Sequence, residues 1–502
     1  MGFLYKVCLE RTSFIKGIVK NFVETWEHEW DIMIKSDFEL KDFCKDSEIR
    51  PALKPREALY GGRTNAAKLY HLCEKDEKIK YFDVTSLYPY VQKTQTFPLG
   101  APKIITEVNH LDVYQFFGLI HCRILPPKKL LFPVLPARIG DKLLFALCSA
   151  CATLKLKTCD HSEKDRMLEG TWVTEEVKLA VRNGYKVLKI FSVWHWNASE
   201  KYDAEKKSGG FFTEYVNTFL KVKQENSGYP SWCENDNDKD KYIEEYERNE
   251  GIRLEKDNIC YNEGLRSISK LLLNSFWGRY CLQTNKIKYS MISTLKELYD
   301  FLLNDLYEIH DVQFLNECKA QIFYSEKDEL HLGGKDSNVV IGAFFTCYGR
   351  MKLYQELFKL EKRELYFDTD SIIFISKPNE YEPKLGDYLG KFTDELKGED
   401  FIEEFVSAGP KNYGYRLNSG KTVCKIKGFS VNFIASKKLN FSSMREIVIN
   451  QKIDELVLVE QNKFTRNKAN WSIKTESVFK KYRQVYDKRI LLENFETLPF
   501  GY

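Results

Sequence analysis

The chain has no apolar run long enough to span a bilayer and no signal peptide at MGFLYKVCLER, which argues against a membrane-embedded or secreted protein. Its Met-Gly start also lacks the Ser/Thr of a myristoylation site, because Lys6 stands there. Charge of one sign is in short supply: 76 Lys+Arg against 72 Asp+Glu leave a net +4, so any nucleic-acid contact has to come from a local basic surface. Internal repeats are absent, which excludes a solenoid. Histidine is scarce, at 8 residues. The 13 cysteines are an odd number without a secretory signal, which fits reduced thiols or metal ligands better than a disulfide framework. A soluble intracellular protein is expected, and 502 residues suffice for several subdomains around more than one core.

What is present are three short strings in a fixed order: YFDVTSLYP from Tyr81, KLLLNSFWG from Lys270 and YFDTDS from Tyr366. The first and third put aspartate directly after a β-branched or aromatic run, so Asp83, Asp368 and Asp370 are expected at strand ends where carboxylates converge. Converging carboxylates repel and lose solvation, a cost that divalent cations offset. Two such cations can activate an attacking 3′ oxygen and steady a leaving pyrophosphate. The middle string adds a cation for a triphosphate. Arg266, Lys270 and Asn274 recur at i, i+4 and i+8 and share a helix face, with Leu272 and Phe276 off that stripe and free to pack. A merely solvated charged face is the alternative, and NSFWG speaks against it.

These residues resemble motifs A, B and C of family B DNA polymerases, of the protein-primed branch. The match is similar to polymerases of Polinton/Maverick elements, since FWG stands in motif B and GGRTNA precedes motif A. It runs from Leu59 to the terminal YDKRILLENFETLPFGY. The resemblance implies an α+β right-hand polymerase with palm, fingers and thumb and two insertions. The corresponding ranges are a remnant or connector at 1–57, palm at 58–110, a first insertion at 111–204, fingers at 205–282, a second insertion at 283–338, palm at 339–432 and thumb at 433–502. It further implies Mg²⁺ (two ions, with Mn²⁺ as a substitute) held by Asp83 and Asp370, with Asp368 less directly engaged. The implied partners are primer-template DNA, dNTPs and a terminal priming protein. A catalytically idle DNA-binding remnant of a mobile-element polymerase is the competing reading.

Further roles follow from the same resemblance. Tyr88, at a strand-to-helix corner fixed by Pro89, would stack beneath the incoming sugar and exclude a 2′-hydroxyl; a plain core tyrosine is the alternative. Lys270 would hold the β and γ phosphates with Arg266 beside it, while Asn274, Trp277 and Gly278 would line the nascent base pair. Lys411 and Tyr413 of PKNYGY match a primer-gripping KxY motif. Gly61 and Gly62 would bring backbone close to DNA, or form an ordinary turn; the family's YxGG begins here with Leu59, a departure.

Elsewhere the reading is coarser. Met1 to Arg56 carries WEHEWD and then charged, loop-like sequence, and it shows none of the Asp-x-Glu pattern of a proofreading exonuclease. CENDNDKDKYIEEYERNE reads as a solvated connector, and VVIGAFFTCYGRMKLYQELF as a buried helix under the sheet. Cys148-x2-Cys151 with Cys159-x-His161 offers three thiolates and an imidazole, a set suited to structural zinc, against the alternative of a reduced, half-buried loop.

Overall fold

The computed structural model describes residues 2–19, 21–46, 52–106, 108, 110–327, 331, 334, 337–451, 456–467, 470 and 472–502. The chain divides into two compact units. The larger comprises 53–282, 336–465 and 474–502. At its centre is an antiparallel sheet in the order Thr64–Ala66, Glu364–Asp368, Ser371–Ser376, Lys78–Val84, Ile402–Gly409, Asn412–Leu417 and Thr422–Ile426. The inner strands ELYFD and SIIFIS are buried on both faces, hence their unbroken apolar runs. Under one face lies the helix Val339–Leu360, with sixteen of its residues buried, as VVIGAFFTCYGR leaves no polar stripe. Phe82, Phe344, Phe345, Phe367, Ile372 and Phe374 pack together there. The other face is covered by Phe441–Ile449, through Phe441, Met444, Ile447 and Val448.

A second sheet, in the order Lys103–Ile105, Lys186–His195, Gly118–Leu125 and Leu168–Val173, shares the first core. Arg350 ties the long helix to the helix Thr174–Arg182 that follows this sheet: its guanidinium donates to both carboxylate oxygens of Glu176 at 2.8 and 2.6 Å and to the carbonyls of Tyr60 and Gly61 at 2.8 and 3.1 Å. Two helices, Thr213–Glu225 and Glu263–Tyr280, pack side by side.

The smaller unit comprises 1–52, 283–335 and 466–473. It contains a three-stranded sheet with Lys319–Glu326 between Lys288–Ile292 and Tyr307–Asn316, under the helix Leu295–Leu302. Among the described residues no helix is long and apolar enough to cross a membrane.

Two expectations need correction. The charged run is not a connector: Asp236–Glu250 is a helix capped by the Asn235 side chain, and Tyr242, Ile243, Tyr246 and Glu250 bury one face. Its many charges sit on the opposite side, so the apolar stripe is narrow but sufficient. Likewise the sequence after WEHEWD is not loop-like as far as Asp46, for Glu27–Ser36 and Phe38–Asp46 are helices, while 47–51 lie outside the described residues.

Candidate active site

Asp83 is the next-to-last residue of the strand Lys78–Val84 and lies directly opposite Ser371, one residue from Asp370. Asp368 ends the strand on the other side of Ser371–Ser376, so the three carboxylates gather at one end of these inner strands. The turn that presents them is tight: Thr369 has φ of 60°, its N–H donates to the Arg63 carbonyl at 2.8 Å, and the Asp370 N–H reaches the Asp368 carbonyl at 2.6 Å. A β-branched residue in the left-handed region is strained, and the Arg63 contact holds it there. Gly62 lies against this turn; a Cβ added to it would come within 2.6 Å of Thr369 Oγ1. Its lack of a side chain thus makes room for the carboxylate turn, while Gly61 is exposed.

The carboxylates line an open cleft of about 580 Å³ with Lys411, Tyr413, Lys425 and Lys427. Burial, followed by the charges of Asp370 and Glu395, pushes the Asp83 carboxyl up to about 7. Burial and the Asp368 charge push Asp370 up to about 6. Asp368 differs, because it accepts from Thr64 Oγ1 at 2.6 Å and from Lys411 Nζ at 2.8 and 2.9 Å. Two carboxylates are therefore short of positive charge and one is supplied. An all-oxygen donor set in want of cations fits Mg²⁺.

The helix Glu263–Tyr280 carries Arg266, Lys270, Asn274 and Gly278, with Lys270 and Asn274 exposed. Ser269 and Leu273 are its buried residues, and Phe276 stacks on Tyr215 at 3.9 Å; Leu272 is only half-buried. Lys270 lies close enough to Asp83 to favour its ionised form. Lys223, on the neighbouring helix, was not foreseen: burial and then the charges of Lys270 and Arg266 lower its pKa, which makes three cations crowded together. A basic residue on the paired helix at FLKVKQ was the available signal.

The αL conformation of Ser86, with φ of 52°, turns the chain from strand into the helix Leu87–Thr94, whose third residue is Pro89. Tyr88 stacks on Trp277 with ring centroids 4.3 Å apart and planes 12° from parallel. The two motifs are thus joined by a ring pair. Tyr413 is 6% exposed, and its hydroxyl meets that of Tyr81 at 3.1 Å. Lys425 sits over both rings, at 5.3 and 5.6 Å.

Residues 54–236 match the model of a family described as DNA polymerase type B, organellar and viral. Over that stretch the chain is similar to the type B DNA polymerases. A "Probable DNA polymerase" of Neurospora intermedia is 25% identical over 407 residues, 77% of this chain and 33% of that protein. A "DNA polymerase" of Kluyveromyces lactis is 25% identical over 396 residues, 76% of this chain and 33% of that protein. The chain spans about a third of the length of these curated relatives. The structure of Phi29 DNA polymerase complexed with primer-template DNA and incoming nucleotide substrates aligns with a TM-score of 0.52 at 15% identity, over 93% of this chain and 76% of that chain. The shared property is the fold, an α+β right-hand polymerase fold.

The cysteine motif lies apart from the carboxylates. Cys148 caps the helix Ser149–Leu154, and its sulfur accepts from the Cys151 N–H at 3.3 Å. His161 Nδ1 lies 3.7, 3.3 and 3.8 Å from the sulfurs of Cys148, Cys151 and Cys159. All four ligand atoms fall within 4.8 Å of one another.

Proposed function

We propose that the chain is a DNA-directed DNA polymerase that adds deoxynucleotides to a 3′-hydroxyl on a template and releases pyrophosphate. The observation that carries this reading is the pairing of Asp83 beside Asp370 in an open cleft, with Lys270 near enough to favour ionisation of Asp83. Asp83 and Asp370 would hold two Mg²⁺, and Asp368 would stay with Lys411 and Thr64 and fix the turn. When bound, the ions would activate the 3′ oxygen and neutralise the leaving pyrophosphate. Lys270 and Lys223, as point charges, and Arg266, through its planar fork, would pair with the triphosphate oxygens. Asn274 and Gly278 would face the nascent base pair.

Tyr88, held by the Trp277 ring, would meet a 2′-hydroxyl sterically and so select deoxyribose. Lys411 and the exposed Lys425 and Lys427 would take primer phosphates; buried Tyr413 would seat Lys425 rather than touch DNA with a free ring. The Gly61–Gly62 loop would serve DNA through the turn it supports. Priming by a terminal protein, with insertions at 111–204 and 283–338, and replication of a mobile element or virus-like genome are the finer parts of this reading, and the motif resemblance supports them. An idle remnant would be expected to lack a carboxylate or cation of the site, and all are in place.

Primer extension by the purified chain with and without Mg²⁺ tests the proposal. Template-directed extension that requires the metal is the expected result. No extension with either Mg²⁺ or Mn²⁺, under conditions where the protein binds DNA, would establish the idle reading.

A further inference from the structure

We propose that Cys148, Cys151, Cys159 and His161 hold one Zn²⁺ in a closed structural site, and that this ion fastens the segment Thr497–Gly501 to the rest of the fold. The first half rests on geometry. With Zn–S near 2.3 Å and Zn–N near 2.0 Å, a tetrahedral site spaces sulfur and nitrogen at about 3.6 Å. The three observed separations of 3.7, 3.3 and 3.8 Å bracket that value. The spacing C-x2-C with a turn at Lys155, which has φ of 56°, returns the chain so that Cys159 and His161 face the first pair. The backbone N–H of Cys151 already points at the Cys148 sulfur, the kind of outer hydrogen bond that steadies a metal-bound thiolate. Four protein ligands leave no open position, so the ion is structural rather than catalytic.

The second half rests on what packs against the ligands. Cys148 and Cys151 share a small core with Leu144, Ala146, Ile490 and Phe500. The Leu147 N–H donates to the Phe500 carbonyl at 2.8 Å. Gly501 is pressed onto Cys148 so closely that no Cβ fits, and its φ of 89° suits glycine alone. The same segment continues to the central sheet: the Thr497 N–H donates to the Ala67 carbonyl at 3.0 Å, and Arg489 donates to the Thr497 hydroxyl at 2.9 Å. Ala66 and Thr64 belong to the strand whose Thr64 hydroxyl donates to Asp368. The ligand loop therefore closes on a segment that ties back to the carboxylates.

Elemental analysis of the chain purified after zinc-replete expression should give about one zinc per protein. The Asp83→Asn variant should carry the same amount, whereas Cys159→Ala with His161→Ala should carry almost none. Hydrogen exchange of wild-type protein before and after removal of zinc by a chelator, in buffer without Mg²⁺, covers the case in which the ligand variant fails to fold. Faster exchange at 144–161 and at 497–501 together, with the strands Lys78–Val84 and Ser371–Ser376 unchanged, is the expected result. Absence of zinc from the wild type, or zinc retained by the double variant, would overturn the site. Exchange at 497–501 that ignores zinc removal would overturn the fastening.

Discussion

Asp83, Asp368 and Asp370 stand at strand ends on the floor of an open cleft, whereas Cys148, Cys151, Cys159 and His161 turn inward around a point that their own loop encloses. The first set is hard oxygen, held in place by long-range strand pairing. The second is mostly sulfur, held within fourteen residues of chain and closed by a distant segment. Hard donors in an open cleft leave room for substrate phosphates in the ion's shell; soft donors in a closed loop leave none. The contrast teaches that the architecture around a donor set, as much as the donors, separates a site for chemistry from a site for folding.

The comparison breaks most sharply at the carboxylates. Asp83→Asn or Asp370→Asn should lower primer extension at least about a hundredfold, the scale of losing a preorganised electrostatic group, while DNA binding and zinc content stay unchanged. Robust extension by either variant would show that the open site is not the reacting one. Next comes a charge arrangement that belongs to neither class. The Arg350–Glu176 pair is buried and fully bonded, so Arg350→Met should lower unfolding free energy by about 3–5 kcal/mol, because an unpaired carboxylate is left behind. Denaturant titration measures this, and a loss under about 1 kcal/mol would mean that Glu176 finds water.

A smaller effect is expected where backbone, not charge, shapes the open site. Gly62→Ala should displace the Thr369 turn and reduce the turnover rate between about tenfold and a hundredfold, with unfolding little changed. Turnover equal to wild type would mean that the Thr369 side chain simply rotates away. Smallest in rate is Tyr88→Val, which should keep extension but raise ribonucleotide incorporation on the order of tenfold, since the steric contact with the sugar is lost together with the stack on Trp277. An active variant with unchanged sugar preference would assign discrimination to another residue.

How legible each feature was depends on how local its cause is. YFDVTSLYP and YFDTDS announce strands that end in carboxylates, and the structure does gather these aspartates at one end of the inner strands. The helix Val339–Leu360 was equally plain, since an apolar run of that length has to be buried. The helix Asp236–Glu250 was misread because its charges outnumber the stripe Tyr242, Ile243 and Tyr246. Lys223 escaped notice because its relation to Lys270 exists only once two helices pack. Arg350 and Glu176 are 174 positions apart, and no local pattern predicts that they will share a fork of hydrogen bonds. Tyr413 was read as a primer contact from its motif, and only tertiary packing reveals that its ring is buried among Tyr81, Tyr366 and Tyr415.

The pairing of the Asp83 strand with the strands around Asp370 has a kinetic side. Thr64 and Asp368, which share a hydrogen bond, are separated by 304 positions along the chain. Closing a loop of that size costs about 5 kcal/mol in chain entropy beyond a constant. Such high contact order makes assembly of the carboxylate site a late and slow event. A nascent chain that has not yet reached Ser371 carries Lys78–Val84 as an unpaired strand, a ready template for pairing with another copy. Expression that slows synthesis between the two strands should therefore raise the aggregated fraction, and fragments ending before Glu364 should be both inactive and prone to associate.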